Sequence, residues 1–201
     1  MVAIIDYDAG NVKSVEKAVE HLGFKAALTR DRNDILNADS VILPGVGAFG
    51  DACKRLDEYE LTPVIHEVAD KNIPFLGICL GLQLLFESSE ESPGVEGLKL
   101  VDGKIKRIPD TGLKVPHVGW NSLSLSGDGR MFKDIPDGSY VYFVHSFYLE
   151  AKDPSVVKAT TTYGVDIHAA VEKDNIFAVQ FHPEKSSDIG LRMLNNFLEI
   201  K

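Results

Sequence analysis

Cys79 is one of two cysteines in a chain of 201 residues, and it stands between Gly77 and Gly81 in the run Pro74-Phe75-Leu76-Gly77-Ile78-Cys79-Leu80-Gly81-Leu82-Gln83. A buried-strand pattern enters the cysteine and a helical pattern leaves it. The spacing Gly-x-Cys-x-Gly is the thiol version of the nucleophile elbow, a sharp strand-to-helix turn that lifts one side chain above a sheet. Glycines on either side permit the tight crossing. The next amide and the start of the helix suit negative charge at that point. By itself the run also suits a structural cysteine in a βα turn, so the case depends on a base and a group to orient it.

The chain has six histidines. His21 and His66 fall on helical patterns and His168 within a strand pattern. His182 is different, because it directly follows the apolar strand Ile176-Phe177-Ala178-Val179-Gln180-Phe181 and precedes Pro183, which removes a ladder donor. Glu184 is two residues further on, and in extended backbone such residues face the same way. It can therefore hold the imidazole tautomer, as the acid of a nucleophile-base-acid triad does. The plainer alternative is a strand ended by proline with two solvated side chains after it.

Upstream, Pro44-Gly45-Val46-Gly47-Ala48-Phe49-Gly50 follows a strand pattern. It lacks the Gly-Lys-Ser/Thr ending of a phosphate loop. It reads as a flexible βα loop or as a loop of backbone donors. With a thiolate attacking a carbonyl, the oxyanion needs two such donors. The Leu80 amide is expected to be one, and the Gly45-Val46-Gly47 loop, at Val46 or Gly47, to supply the other.

These groups need a scaffold that brings strand ends together. Val2–Ile5, Phe24–Thr29, Val41–Leu43 and Phe75–Ile78 read as buried strands alternating with helical patterns near 12–22, 51–59 and 63–71. That order gives a parallel sheet with right-handed crossovers, and its ligands bind at the carboxyl ends of the strands. Asn11 or Ser14 is expected to cap the first helix, and Gly23 to end it. The elbow helix is expected to run from Leu80 to about Glu87, with a solvated loop over 87–92. Period-two patterns at Leu98–Val101, Gly103–Ile108, Tyr140–Val144, Val156–Thr161 and Asp166–Val171 make the second half strand-rich, with a hairpin turn at Lys173-Asp174-Asn175. A last helix is expected near Ile189–Ile200.

A net charge of −9 argues against nucleic acid or an anionic membrane as partner. The start lacks the basic region of a signal peptide, and no apolar run reaches membrane length. Two cysteines make no disulfide framework. A soluble, cytoplasmic, one-domain protein over residues 1–201 is the expectation.

The cysteine elbow, His182-Pro183-Glu184 and Pro44-Gly45-Val46-Gly47, in that spacing, resemble the class I glutamine amidotransferases, the triad glutaminases. The resemblance covers essentially the whole chain. It implies an α/β fold with a flavodoxin-like mixed, mostly parallel central sheet, helices on both faces and an antiparallel extension. It further implies glutamine hydrolysis through a Cys79 thioester, without metal or cofactor. Gln83 and the backbone near Gly45, Gly47, Ser146 and Phe147 would hold the substrate's α-amino and carboxylate groups. His145 would lie nearby, outside the triad. Within the family, Asp6-Tyr7-x-Ala9-Gly10-Asn11, Pro116-His117-x-Gly119-Trp120-Asn121 and Phe143-Val144-His145-Ser146-Phe147 resemble one branch. Its members feed ammonia to a separate (β/α)8-barrel cyclase in histidine biosynthesis, which would place Asn11, Trp120 and Lys185 at the partner interface. Asp8 and Phe147 depart from that branch's usual residues. The alternative within the family is a glutaminase serving anthranilate or aminodeoxychorismate synthase, or another acceptor.

Overall fold

The computed structural model describes residues 1–200. Its first half alternates strand and helix: β1 (Val2–Ile5), α1 (Val12–His21), β2 (Ala26–Thr29), α2 (Arg32–Leu36), β3 (Ser40–Leu43), α3 (Phe49–Glu58), α4 (Leu61–Asp70), β4 (Phe75–Ile78) and α5 (Leu80–Leu84). The second half adds β5 (Ser88–Ser89), β6 (Gly103–Arg107), β7 (His117–Ser122), β8 (Ser124–Leu125), β9 (Tyr140–His145), β10 (Phe147–Ala151), β11 (Val157–Thr162), β12 (Asp166–Lys173), β13 (Ile176–Val179) and α6 (Ser187–Leu198).

The main sheet has the order β2-β1-β3-β4-β13-β12-β11-β8. Its first five strands are parallel; β1, β3, β4 and β13 are buried throughout, as in a sheet covered on both faces, and the edge strand β2 is half-buried. From β13 onward the pairing is antiparallel. Asp174, with φ +52°, makes the tight turn between β12 and β13. One buried cluster joins the sheet to α3 and α4, and a second joins its other face to α1 and α6. Outside the main sheet, β10-β6-β5 forms a three-stranded sheet and β7-β9 a pair.

Several local expectations fail for identifiable reasons. Leu98–Val101 is not a strand. Its amides turn back to the carbonyls of Leu84 and Leu85, at 2.8 Å from Leu98, 2.9 Å from Leu100 and 3.2 Å from Val101. That segment closes the open end of α5, which stops at Leu84 rather than near Glu87. The stretch 87–92 is not merely solvated either. Ser88–Ser89 forms β5, and Glu91 Oε2 accepts from the Phe49 amide at 2.7 Å, serving the start of α3. Neither Asn11 nor Ser14 caps α1: Asn11 holds the cap position, but its side chain makes no capping bond. Strand β7 has no clear sequence pattern, because Gly119 and Asn121 interrupt its apolar alternation.

Candidate active site

The parallel order puts the carboxyl ends of β1, β3, β4 and β13 at one edge, and each releases a loop there. Cys79 follows β4 with φ 56° and ψ −108°, a conformation that an L-residue holds only where packing imposes it. The Cys79 amide still donates to Val179 at 2.8 Å, so the β4–β13 ladder continues into the elbow. Gly81 cannot be larger, since a Cβ there would sit 1.8 Å from the Leu43 carbonyl oxygen of β3. The elbow is thus pressed against the strand that carries the glycine loop.

Just beyond β13, the His182 amide donates to the Tyr142 carbonyl at 3.0 Å. Ser186 Oγ donates to the His182 carbonyl at 2.6 Å and accepts from the Tyr142 amide at 2.9 Å. These bonds fix the histidine backbone. The His182 side chain is buried, and its Nδ1 lies 2.8 Å from Glu184 Oε1. Asn11 Nδ2 donates to the same oxygen at 2.7 Å. A proton on Nδ1 directed at the carboxylate leaves Nε2 unpartnered within the protein. Burial opposes the imidazolium, but Cys79 and Glu184 outweigh it and raise the His182 pKa to about 9. Burial likewise opposes the Glu184 carboxylate, yet His182 and Asn11 hold its pKa below the usual value.

Around the sulfur, Cys79 Sγ lies 3.9 Å from the Val144 carbonyl and accepts from Gln180 Nε2 at 3.8 Å. The Leu80 amide points at the Gly45 carbonyl, 3.4 Å away, so this expected oxyanion donor is weakly held by the protein itself. Tyr7 donates to the Pro44 carbonyl at 2.9 Å and pins the start of the loop, while Gly47 has φ +107°.

A cleft of about 290 Å³ opens over these groups. It brings together Val46, Gly47, Cys79, Leu80, Gln83, Ser146, Phe147 and His182, with His145 in its wall. Gly45 lies behind that lining, and Glu184 sits behind His182. Of the residues expected at a partner surface, Trp120 is 51% exposed on β7 and Lys185 is exposed next to Glu184. Asn11, by contrast, is turned inward onto Glu184. A larger concavity of about 550 Å³ lies at the amino ends of β1 and β3, lined by Phe24 and Leu198, with no cysteine or histidine in its lining.

Sequence reasoning passed over two groups. Gln180 is fully buried and is the one polar residue in the run Ile176–Phe181; its two-residue spacing from His182 was the available signal. His117 is buried on β7, with Nδ1 3.0 Å from His145 Nε2, and His145 Nδ1 lies 2.9 Å from the Phe147 carbonyl. Burial pushes both imidazoles down to about 4, so both are neutral at pH 7. His145 Nδ1 then donates to Phe147 and its Nε2 accepts from His117.

The chain is 50% identical over 199 residues to the imidazole glycerol phosphate synthase subunit HisH of Moorella thermoacetica, covering 99% of this chain and 94% of that protein. It is 48% identical to the subunit of the same name from Methanosarcina barkeri, covering 99% and 98%. Among solved structures, a glutamine amidotransferase superposes over 100% of both chains with a TM-score of 0.77 at 19% identity. PurLQS from Thermotoga maritima superposes with a TM-score of 0.76 at 21% identity, covering 98% of this chain and 96% of that one. These two show the shared fold. The model of the family "glutamine amidotransferase class-I" matches residues 3–200, and the chain belongs to that family.

Proposed function

We propose that this chain is the glutaminase subunit of an imidazole glycerol phosphate synthase, with Cys79 as nucleophile, His182 as acid and base, and Glu184 as orienter. One observation carries the reading: in a cleft with Cys79, His182 is buried with Nδ1 on a carboxylate and Nε2 unpartnered. The Cys79 sulfur attacks the side-chain amide carbon of glutamine. The carbonyl π pair moves to oxygen, where the Leu80 amide and an amide of Val46 or Gly47 receive the charge. Collapse breaks the C–N bond as His182 gives its proton to the leaving nitrogen, releasing ammonia and leaving a thioester. His182 then takes a proton from water, whose oxygen displaces the sulfur to give glutamate.

Ammonia set free in water becomes ammonium, so it must pass to an acceptor directly. The proposed acceptor is a separate (β/α)8-barrel cyclase of histidine biosynthesis. A surface suited to it lies beside the cleft, on the outer face of β7 and β9. Val118, Trp120, Tyr140 and Val144 are exposed there together, with Val118 opposite Val144 across the pair. Contiguous exposed apolar residues of this kind favour a protein partner. Among the described residues no helix is long and apolar enough to cross a membrane.

The test is reconstitution with the cyclase of the same organism. Glutamine-dependent product is expected from the pair. With Cys79→Ala, glutamine-dependent product should vanish while product from ammonium salts persists. Retained glutamine turnover would remove Cys79 as nucleophile.

A further inference from the structure

Gln180 lies at the end of β13, fully buried, and its carboxamide bridges two groups that a bound glutamine would meet. Its Nε2 donates to Cys79 Sγ at 3.8 Å, and its Oε1 accepts from Gln83 Nε2 at 3.2 Å. The Gln83 amino group is thereby committed twice, because it also donates to the Phe147 carbonyl at 3.2 Å. That carbonyl is itself held by His145 Nδ1 at 2.9 Å. A carboxamide has two N–H donors and one carbonyl oxygen. With both donors taken, Gln83 has only its oxygen left for a ligand in the cleft.

We propose that Gln180 is a positioning residue that sets substrate specificity. It locks Gln83 with the oxygen toward the cleft, and so builds an acceptor for an α-ammonium group at a fixed place relative to the Cys79 sulfur. Without Gln180, one Gln83 donor loses its partner and the carboxamide is free to turn over. Its N–H groups would then face the ammonium, and a site built for one hydrogen-bond polarity rejects the other.

This inference rests on the glutaminase reading above. It is tested with the chain in complex with its cyclase, by comparing hydrolysis of glutamine with that of 5-amino-5-oxopentanoate, which is glutamine without its α-amino group. Gln180→Met should lower kcat/KM for glutamine roughly tenfold more than for the analogue, about the worth of one hydrogen bond to a charged group, and mainly through KM. Gln180→Glu keeps an acceptor for Gln83 Nε2 and should keep the preference for glutamine. Equal losses on both substrates with Gln180→Met, or a Gln180→Glu chain that loses the preference as fully, overturn the proposal. If Gln180→Met yields no folded chain, Gln180→Asn replaces it, since one methylene less cannot span from sulfur to Gln83. Cys79→Ala is the control. If the unmodified complex hydrolyses no glutamine, the glutaminase reading fails; if Cys79→Ala still hydrolyses it, Cys79 is not the nucleophile. If that variant is inactive and the substrate ratio ignores Gln180, only the present inference fails.

Discussion

Asn11 and Glu184 are joined by a 2.7 Å hydrogen bond that ends on the same carboxylate oxygen as the His182 contact. The bond crosses the molecule from the loop after β1 to the loop after β13. Asn11 sits at φ 68° ahead of α1 and gives that helix no side-chain cap. A cap substitution in reverse is typically worth about 1 kcal/mol, so the residue forgoes local stability to hold the acid. Asn11→Ala should lower kcat for glutamine roughly tenfold with KM little changed, because a hydrogen bond to a charged group orienting the base is lost. Steady-state kinetics with saturating cyclase measures this. An unchanged kcat with weaker cyclase binding would instead make Asn11 a docking residue.

The Leu80 amide and the Gly45 carbonyl, 3.4 Å apart, bear on when the enzyme works. An oxyanion must displace that contact and find a second amide from the loop. Tyr7 holds Pro44, and Gly47 lies in the left-handed region, so rotation is confined to the peptides between them. The isolated chain is therefore expected to be a poor glutaminase. Adding the cyclase with its own substrate bound should raise kcat by ~10²-fold or more, the scale of one oxyanion donor. Full activity from the purified chain alone would show that the hole is already formed.

Trp120 is exposed beside the cleft, edge-on to Tyr142 across the β7–β9 pair with ring centroids 6.2 Å apart. A rigid, exposed aromatic in an apolar patch is the usual form of a binding hot spot. Trp120→Ala should weaken cyclase affinity by about 2 kcal/mol, roughly thirtyfold, without changing the stability of the free chain by a comparable amount. Titration calorimetry separates the two. Cyclase binding that ignores Trp120 would move the interface to another face.

Much of this was legible in the sequence, because buried parallel strands and a glycine-flanked cysteine leave strong local patterns. Cys79, His182 and Glu184 sit within a few residues of strand ends that apolar runs mark plainly. What stayed hidden depends on distant partners. Leu98–Val101 alternates like a strand, yet its amides serve the end of α5, which no local pattern reveals. Asn11 looks like a helix cap and binds an acid more than 170 residues away. Gln180 reads as one more residue of an apolar strand until the fold puts Cys79 on one side of it and Gln83 on the other.

His117 and His145 make acid stability a separate test. Both imidazoles are buried and share a 3.0 Å contact, and burial lowers each pKa from 6.5 to about 4. The unfolded chain therefore binds more protons than the folded one between those values. The neutral pair's contribution is complete above pH 6.5 and is lost as pH falls through about 4. One such proton gives a slope of about 1.4 kcal/mol per pH unit within the window. His117 stacks on Tyr163 with ring centroids 3.9 Å apart, so His117→Phe keeps a flat aromatic there while deleting one of the two titrating groups. Chemical denaturation of the two chains from pH 7 to pH 4 should show a shallower loss for His117→Phe, by about one proton's slope. Parallel curves would mean that His117 is already protonated in the folded chain and that its contact with His145 is made differently.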